Sequence, residues 1–189
     1  MKRKHKWLAG ILILSAAIAV IACAKPAPTV PGTEPETATG PDPKEDSDVR
    51  FTHEGKALYQ IVRPEEAGEA LKEQIISFRR EVERKTGVRM AITSDFLSMD
   101  EKGYERRCEI LIGKTGYPES KAALETCGYG DWIIRAVGNK IVVTAYDDGN
   151  LAAAMDALCR LIAGAENPQE LTLTREELTV TRSVNATVS

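Results

Sequence analysis

The stretch from Asp131 to Ile162 constrains the fold of this chain more than any other. Two runs rich in β-branched residues, 131–137 and 140–145, are separated by Gly138 and Asn139. Gly-Asn accepts the positive φ angles of a tight two-residue turn, so the pattern predicts a β-hairpin. Apolar residues then recur at helical spacing, at Leu151, Met155, Leu158 and Ile162. The stretch therefore predicts a hairpin followed by a helix whose apolar face covers the sheet.

The remaining elements follow from similar patterns. The other predicted strands are 57–62, 88–93, 108–112, 171–174 and 178–181. One helix is predicted from Glu65 to Gly87 and a shorter one from Pro118, whereas residues 94–107 are polar and predict a loop. The order β-α-β-β-α-β-β-α-β-β predicts an α/β (α+β) sandwich with one mixed sheet. Its long helices are expected to pack mainly on one face of that sheet.

The amino terminus has the pattern of a secretory signal. Residues 1–6 are basic, and residues 7–22 form an apolar run that is shorter than the roughly twenty residues of a membrane-spanning helix. The run ends in Val20-Ile21-Ala22-Cys23, which resembles a bacterial lipobox, although Val20 stands where leucine is commonest. The resemblance implies a signal peptide over 1–22, cleavage before Cys23 and lipidation of its thiol. The alternative is an uncleaved membrane anchor, and either interpretation places the rest of the chain outside the cytoplasmic membrane.

Residues 23–50 predict a disordered tether after the lipidated cysteine. Six of the nine prolines lie here, among threonine, acidic residues and glycine. Such a segment buries too little apolar surface to offset its ordering entropy, and proline favours an extended polyproline II spacer. The single folded domain is predicted over 51–182, followed by a frayed tail over 183–189.

Charge and histidine content exclude several functions. Residues 23–189 carry 21 basic and 28 acidic residues, a balance that argues against a nucleic-acid partner. The two histidines, His5 and His53, precede the first predicted strand. The folded region is therefore expected to lack an imidazole, which excludes histidine bases, Ser-His or Cys-His nucleophile pairs and histidine metal sites. No cofactor is expected.

Several segments together resemble a known module. They are Tyr59-Gln60-Ile61-Val62 with Pro64, Lys85-Thr86-Gly87-Val88, Glu109-Ile110-Leu111-Ile112-Gly113-Lys114-Thr115, Pro118-Glu119-Ser120, Asp131-Trp132-Ile133-Ile134, Gly138-Asn139-Lys140-Ile141-Val142-Val143 and Asn150-Leu151-Ala152-Ala153-Ala154. In this order they resemble the N-terminal α+β accessory domain of family 20 β-hexosaminidases and family 67 α-glucuronidases. The resemblance implies a fold and a carbohydrate-associated context. It carries no catalytic residue, because those enzymes hold their catalytic carboxylates on a separate barrel of about 250 residues.

Two polar segments are candidate binding sites. Asp147 and Asp148 stand between a strand and a helix, where they would bind a cation or cap the helix. The offsets that follow lack the further ligands of a calcium loop, which favours the cap, and no metal site is predicted. Gly113-Lys114-Thr115 lacks the preceding glycine of a phosphate-binding loop, because Cys108 stands in its place. That segment is predicted to be a turn at a strand end.

Aromatic and thiol groups give the remaining candidates. Tyr117 and Tyr129 flank the short helix in glycine-rich turns and are candidate glycan contacts at a rim, whereas Trp132 is predicted to be core. The thiols of Cys108, Cys127 and Cys159 are predicted to be buried and free. The alternative is one disulfide between two of them, and the sequence does not show which two.

These features predict a surface-anchored lipoprotein that presents a non-catalytic accessory or interaction domain with a carbohydrate association. Its expected partners are the membrane, through the lipid on Cys23, and a cell-wall or environmental polysaccharide or an envelope protein. The alternative is a component or fragment of a carbohydrate-active enzyme that works with a separate catalytic barrel.

Overall fold

The computed structural model describes residues 48–183. The predicted signal peptide, Cys23, the tether up to residue 47 and the tail after Ser183 lie outside these residues. The strands are β1 Val49–Arg50, β2 Thr52–His53, β3 Lys56–Ala57, β4 Gln60–Arg63, β5 Ile92–Ser94, β6 Glu109–Ile112, β7 Asp131–Val137, β8 Lys140–Ala145, β9 Thr172–Leu173 and β10 Val180–Ser183. The helices are α1 Glu69–Thr86, α2 Asp95–Met99, α3 Pro118–Glu125 and α4 Asp148–Ala163. No helix within 48–183 is long and apolar enough to cross a membrane.

Six strands form one mixed sheet, in the order β10-β7-β8-β6-β4-β5. The pairs β5–β4, β4–β6 and β6–β8 are parallel, whereas β8–β7 and β7–β10 are antiparallel. The predicted α+β fold with one mixed sheet is confirmed.

The predicted hairpin is confirmed with its expected bounds, as β7 and β8 pair from Trp132 opposite Ala145 to Val137 opposite Lys140. In the turn Gly138 has a φ of 55°, whereas Asn139 has no positive φ. The expectation that both turn residues adopt positive φ is therefore wrong. A glycine alone at the first central position is typical of a type II′ turn, which also matches the twist of the two strands.

Helix α1 begins four residues later than the sequence predicts. The amide of Ala67 donates to the carbonyl of Pro64, so residues 64–67 form a turn before Gly68, which is the N-cap residue. The predicted end is confirmed, because Gly87 has a φ of 72° and its amide donates to the carbonyl of Glu83. This left-handed cap is readily adopted by glycine.

The two long helices share one face of the sheet. Helix α4 packs against β7, β8 and α1. Alternate strand residues, such as Ile61, Ile110 and Val143, pack with Phe78 and Leu158 of these helices in the main core. Trp132 is buried in the same core, as predicted.

The opposite face carries a smaller core and shorter elements. Val62, Leu111 and Val142 point to this side and pack with Tyr117 and Ala123. Helix α3 contacts β8 here. The segment 94–107, predicted to be a loop, contains α2 and a 3-10 turn at Tyr104–Arg106. Met99 and Tyr104 from this segment pack on the smaller core, so the segment is part of the layered structure.

The folded region begins earlier than predicted. Strand β1 pairs with β9, so Val49 and Arg50, placed in the tether by the sequence analysis, belong to the fold. Strand β2 pairs with β3, and the His53 Nδ1 lies 3.1 Å from a carboxylate oxygen of Glu170. His53 therefore belongs to the fold, and the expectation of a folded region without an imidazole is wrong. The short hairpin of β2 and β3 was not predicted because its residues show no apolar pattern.

Candidate functional site at the carboxyl edge of the sheet

Three neighbouring parallel strands, β4, β6 and β8, end at one edge of the sheet. From β4 the chain first returns as β5 on one side and later as β6 on the other, so the direction of winding reverses between β4 and β6. Ligands of open α/β sheets commonly bind outside the carboxyl ends of the strands at such a reversal. A cavity of about 230 Å³ lies at this edge. The topology therefore makes this edge the candidate site.

We refer to this space as the edge cavity. It is lined by parts of three segments, 64–71, 113–114 and 145–151. Its buried lining residues are Ala67, Gly113, Ala145 and Leu151, and its exposed ones include Glu66, Lys114, Asp147 and Asp148. A Cβ atom on Gly113 would lie 3.5 Å from a methyl group of Leu151 and another of Leu71. The φ of 84° at this position also favours glycine, so the cavity has an apolar floor and a charged rim.

Asp95 fixes the loops beside the cavity. Its Oδ1 accepts hydrogen bonds from the amides of Glu65 and Phe96, both at 2.8 Å, and its Oδ2 accepts one from the amide of Gly116 at 2.7 Å. One nearly buried carboxylate thus joins the segments that follow β4, β5 and β6. Asp95 was not predicted from the sequence. Its signal was Ser94, an N-cap whose hydroxyl accepts from the amide of Leu97, followed by an acid in the first helical turn.

The predicted acidic pair lies on the rim of the edge cavity. Asp147 is the N-cap of α4, and its two oxygens accept from the amide of Asn150 at 2.9 Å and from the Asn150 side chain at 2.7 Å. Asp148 is in the first turn of the same helix and is exposed. Lys114 donates to the carbonyl of Tyr146 at 3.1 Å, in the predicted strand-end turn. The geometry around Asp147 is that of a helix cap.

An aromatic pair lies beside this rim. Tyr129 is 74 % exposed and Tyr146 is 47 % exposed. Their ring centroids are 5.3 Å apart at an interplanar angle of 69°, an edge-to-face arrangement. Tyr146 stands between Ala145 and Asp147, which both line the cavity. The structure therefore places Tyr129, a predicted glycan contact, next to a second exposed ring, that of Tyr146.

The predicted rim position of Tyr117 is wrong. Its side chain is 0 % exposed and packs in the smaller core. Its ring lies edge-to-face on that of Tyr104, at 5.6 Å. The Tyr117 side chain, at the start of α3, packs against the sheet, so its ring offers no face to a ligand at the surface.

A buried charged cluster crosses the amino ends of the same parallel strands. Gln60, Glu109 and Lys140 are side-by-side neighbours on β4, β6 and β8. Lys140 Nζ lies 2.5 Å from Glu109 Oε2, and both side chains are almost completely buried. Lys140 also donates to the carbonyls of Tyr104 at 2.5 Å and Arg107 at 3.0 Å. The cluster therefore holds the segment 94–107 against the sheet.

The environment of Glu109 favours its ionised form. Burial by itself raises the pKa of Glu109. Hydrogen bonds from Lys140, Ser98 and Gln60, together with the charge of Lys140, outweigh burial and hold the pKa of Glu109 below its usual value. Ser98 donates to Glu109 Oε1 at 2.5 Å and Gln60 donates to the same oxygen at 2.8 Å. These contacts join strands β4, β6 and β8 to the segment 94–107, so the cluster stabilises the fold.

The three thiols within 48–183 are free. Burial raises the pKa of Cys108, Cys127 and Cys159. A raised pKa disfavours the thiolate, which is the reactive form of cysteine. The same described part of the chain contains no group of three or more His, Cys, Asp or Glu side chains that could hold a metal ion.

Neither a protein-family model nor a curated protein matches the sequence. Among solved structures, the chain is similar to a GH138 enzyme targeting pectin rhamnogalacturonan II. The TM-score is 0.39 and the sequence identity is 17 % over 61 % of this chain. The chain spans 15 % of the length of that enzyme. The similarity to part of a glycoside hydrolase is distant and assigns neither a family nor an activity.

Proposed function

We propose that this protein is a surface lipoprotein, anchored through Cys23, whose domain binds glycans without catalysing their cleavage. The observation that carries the proposal is the exposed pair of Tyr129 and Tyr146 at the carboxyl edge of the sheet. Sugar rings present faces of C–H groups that pack against the electron-rich face of an aromatic ring. Two rings held edge-to-face offer such a face in a fixed orientation.

The polar groups near the pair suit the same ligand. The carboxylates of Asp147 and Asp148 accept hydrogen bonds, and the ammonium group of Lys114 donates them. Binding sites for small ligands combine apolar and aromatic surfaces with a few such polar groups that fix orientation. The sequence resemblance to the accessory domain of family 20 β-hexosaminidases and family 67 α-glucuronidases supports a role beside carbohydrate chemistry. It also agrees with a domain that has no catalytic residue of its own.

The anchor gives the first prediction. Cys23→Ser should abolish lipidation, because serine lacks the thiol that is modified. The variant should then be found either in the soluble fraction or as a precursor that keeps its signal peptide. Fractionation with metabolic labelling by a palmitate analogue measures this directly. Cys159→Ser is the matched control and should leave labelling unchanged. Full labelling of the Cys23→Ser protein would rule out this anchor.

The aromatic pair gives the second prediction. Tyr129→Ala and Tyr146→Ala should each weaken glycan binding of the full chain by about tenfold or more, the range found when a stacking ring is removed from a binding site. Pull-down on insoluble peptidoglycan and a panel of polysaccharides identifies the ligand, and calorimetry on the positive glycan measures the affinities. The proposal fails if the native chain binds no glycan saturably.

Phe96 provides a matched control for this experiment. Its ring is 67 % exposed on α2, which follows the outer strand β5, and it does not line the edge cavity. Phe96→Ala removes an exposed ring from a different place and should leave glycan affinity unchanged. An equal loss from Phe96→Ala would show that binding follows general surface hydrophobicity and not the aromatic pair.

A further inference from the structure

Two carboxylates of the edge cavity have unused hydrogen-bonding capacity. Glu66 and Asp148 line the cavity, and neither has a hydrogen-bond or ion-pair partner within residues 48–183. An ionised carboxylate is an acceptor only, with about four lone-pair positions. A ligand that satisfies these two groups must therefore bring hydrogen-bond donors.

Donors line the same cavity. Helix α1 has Gly68 as its N-cap, without a side-chain hydrogen bond to its first turn. The first amides of a helix have no partner within the helix, and Ala70 and Leu71 of this turn line the cavity. Lys114 adds an ammonium group with three donors, one of which pairs with the carbonyl of Tyr146. The cavity thus presents acceptors and donors to the same small volume.

A neutral hydroxyl-rich group fits this mixture better than an ion does. Each hydroxyl both donates and accepts, so it can pair with a carboxylate and with an amide or ammonium group. An anion would meet Glu66 and Asp148 at close range, and a cation would meet Lys114 and the positive end of α1. The apolar floor formed by Ala67 and Leu151 suits the C–H face of a ring.

The size of the cavity limits the ligand to one ring. Its volume of about 230 Å³ lies below the range of about 300–1,000 Å³ of sites for drug-sized molecules. Since Tyr146 stands between the lining residues Ala145 and Asp147, a sugar next in the chain can reach the aromatic pair. We propose that the edge cavity is a subsite for one neutral sugar residue, adjacent to the aromatic pair. This inference rests on the proposed function.

The test is calorimetry on the full chain with three β- or α-linked hexasaccharides: cellohexaose, the hexamer of N-acetylglucosamine, and hexagalacturonate. At least one neutral hexamer should bind, and hexagalacturonate should bind about tenfold more weakly or not at all, because like charges are rejected at close range. Glu66→Ala and Asp148→Ala should each lower the affinity for the neutral hexamer by about tenfold, which is the effect of losing a hydrogen bond to a charged group.

Matched controls lie on the same helices as the tested groups. Glu73→Ala on α1 and Asp156→Ala on α4 remove exposed carboxylates that do not line the cavity, and both should leave affinity unchanged. Gly68→Trp adds a large side chain at a lining position, where a Cβ atom would meet no atom within 4 Å, and should abolish binding. If that variant unfolds, the two alanine variants still decide the result.

The outcomes separate this inference from the proposed function. Binding that requires Tyr129 and Tyr146 but tolerates Glu66→Ala, Asp148→Ala and a folded Gly68→Trp overturns the subsite and leaves the glycan-binding function standing. Hexagalacturonate that binds as tightly as the neutral hexamers also overturns the subsite. A native chain that binds no glycan overturns both proposals.

Discussion

Replacing Lys140 with methionine should lower the free energy of unfolding by about 3–5 kcal/mol, because it leaves a buried carboxylate without its partner. Glu109 and Lys140 are almost completely buried, with 2.5 Å between Oε2 and Nζ. The loss also removes the two hydrogen bonds from Lys140 to the carbonyls of Tyr104 and Arg107. Methionine keeps most of the apolar stem, so the change measures the charge and its hydrogen bonds. Urea denaturation followed by circular dichroism gives the free energy.

Two further variants isolate the ion pair. Lys121→Met removes an exposed lysine from α3 and should change the free energy of unfolding by no more than about 0.5 kcal/mol. The double variant Glu109→Gln with Lys140→Met should recover part of the lost stability, because no charge then remains buried. If Lys140→Met alone changes stability as little as Lys121→Met does, the pair does not hold the fold.

The pH dependence of the free energy of unfolding tests the same ion pair. In the native chain the pKa of Glu109 is held below its usual value, so its contribution is complete above the pKa of the unfolded chain and is lost as the pH falls through the lowered folded pKa. In the Lys140→Met chain the unpartnered carboxyl is protonated more readily. The stability difference between the two chains should therefore narrow in acid, and a difference that widens in acid would contradict this account.

The main sheet and its long helices could be predicted from local pattern. The two β-branched runs around Gly138 gave the hairpin with its bounds, and Gly87 gave the end of α1. These signals are strong because tight turns and left-handed helix caps need backbone angles that few residue types adopt. The start of α1 was wrong because Glu65 and Glu66 suit a first helical turn equally well, whereas tertiary contacts of Asp95 hold that segment in a turn.

The buried polar residues could not be predicted. Glu109 and Lys140 stand at the amino ends of strands, where a charged residue normally marks the approach to solvent. Only the register of the parallel strands places Glu109 beside Lys140 and Gln60. The local sequence does not specify the register between strands that are distant in the chain. Helix α2 was missed for the same reason, because its buried residues are Asp95 and Ser98 and give no apolar stripe.

The candidate site was partly predicted. Asp147, Asp148 and Tyr129 were identified because each stands in a turn beside a regular element, where ligand-binding residues concentrate. Glu66 and the pairing of Tyr146 with Tyr129 were not, since both depend on which loops the sheet brings together. Tyr117 shows the opposite error, because a residue in a turn was expected at the surface and the fold buries it.

The buried position of Tyr117 leads to the second prediction with a large effect. Tyr117→Ala should lower the free energy of unfolding by about 3–5 kcal/mol, because it leaves a cavity among Val62, Leu111 and Val142 and removes the edge-to-face contact with Tyr104. Denaturant unfolding measures the change. Tyr129→Ala removes an exposed ring that also makes an edge-to-face contact, with Tyr146, and should change the free energy by no more than about 1.5 kcal/mol.

Tyr117→Phe separates the ring from its hydroxyl group. The Tyr117 hydroxyl is buried and has no hydrogen-bond partner within residues 48–183, although Glu109 and Ser98 are nearby. An unsatisfied buried polar group costs about 1–3 kcal/mol, so phenylalanine should be neutral or stabilising. Glycan affinity should remain at the native level in Tyr117→Phe, because the ring lies away from the aromatic pair. A loss of more than about 1 kcal/mol would show that the hydroxyl bonds to Glu109 or Ser98 in solution and belongs to the buried charged cluster.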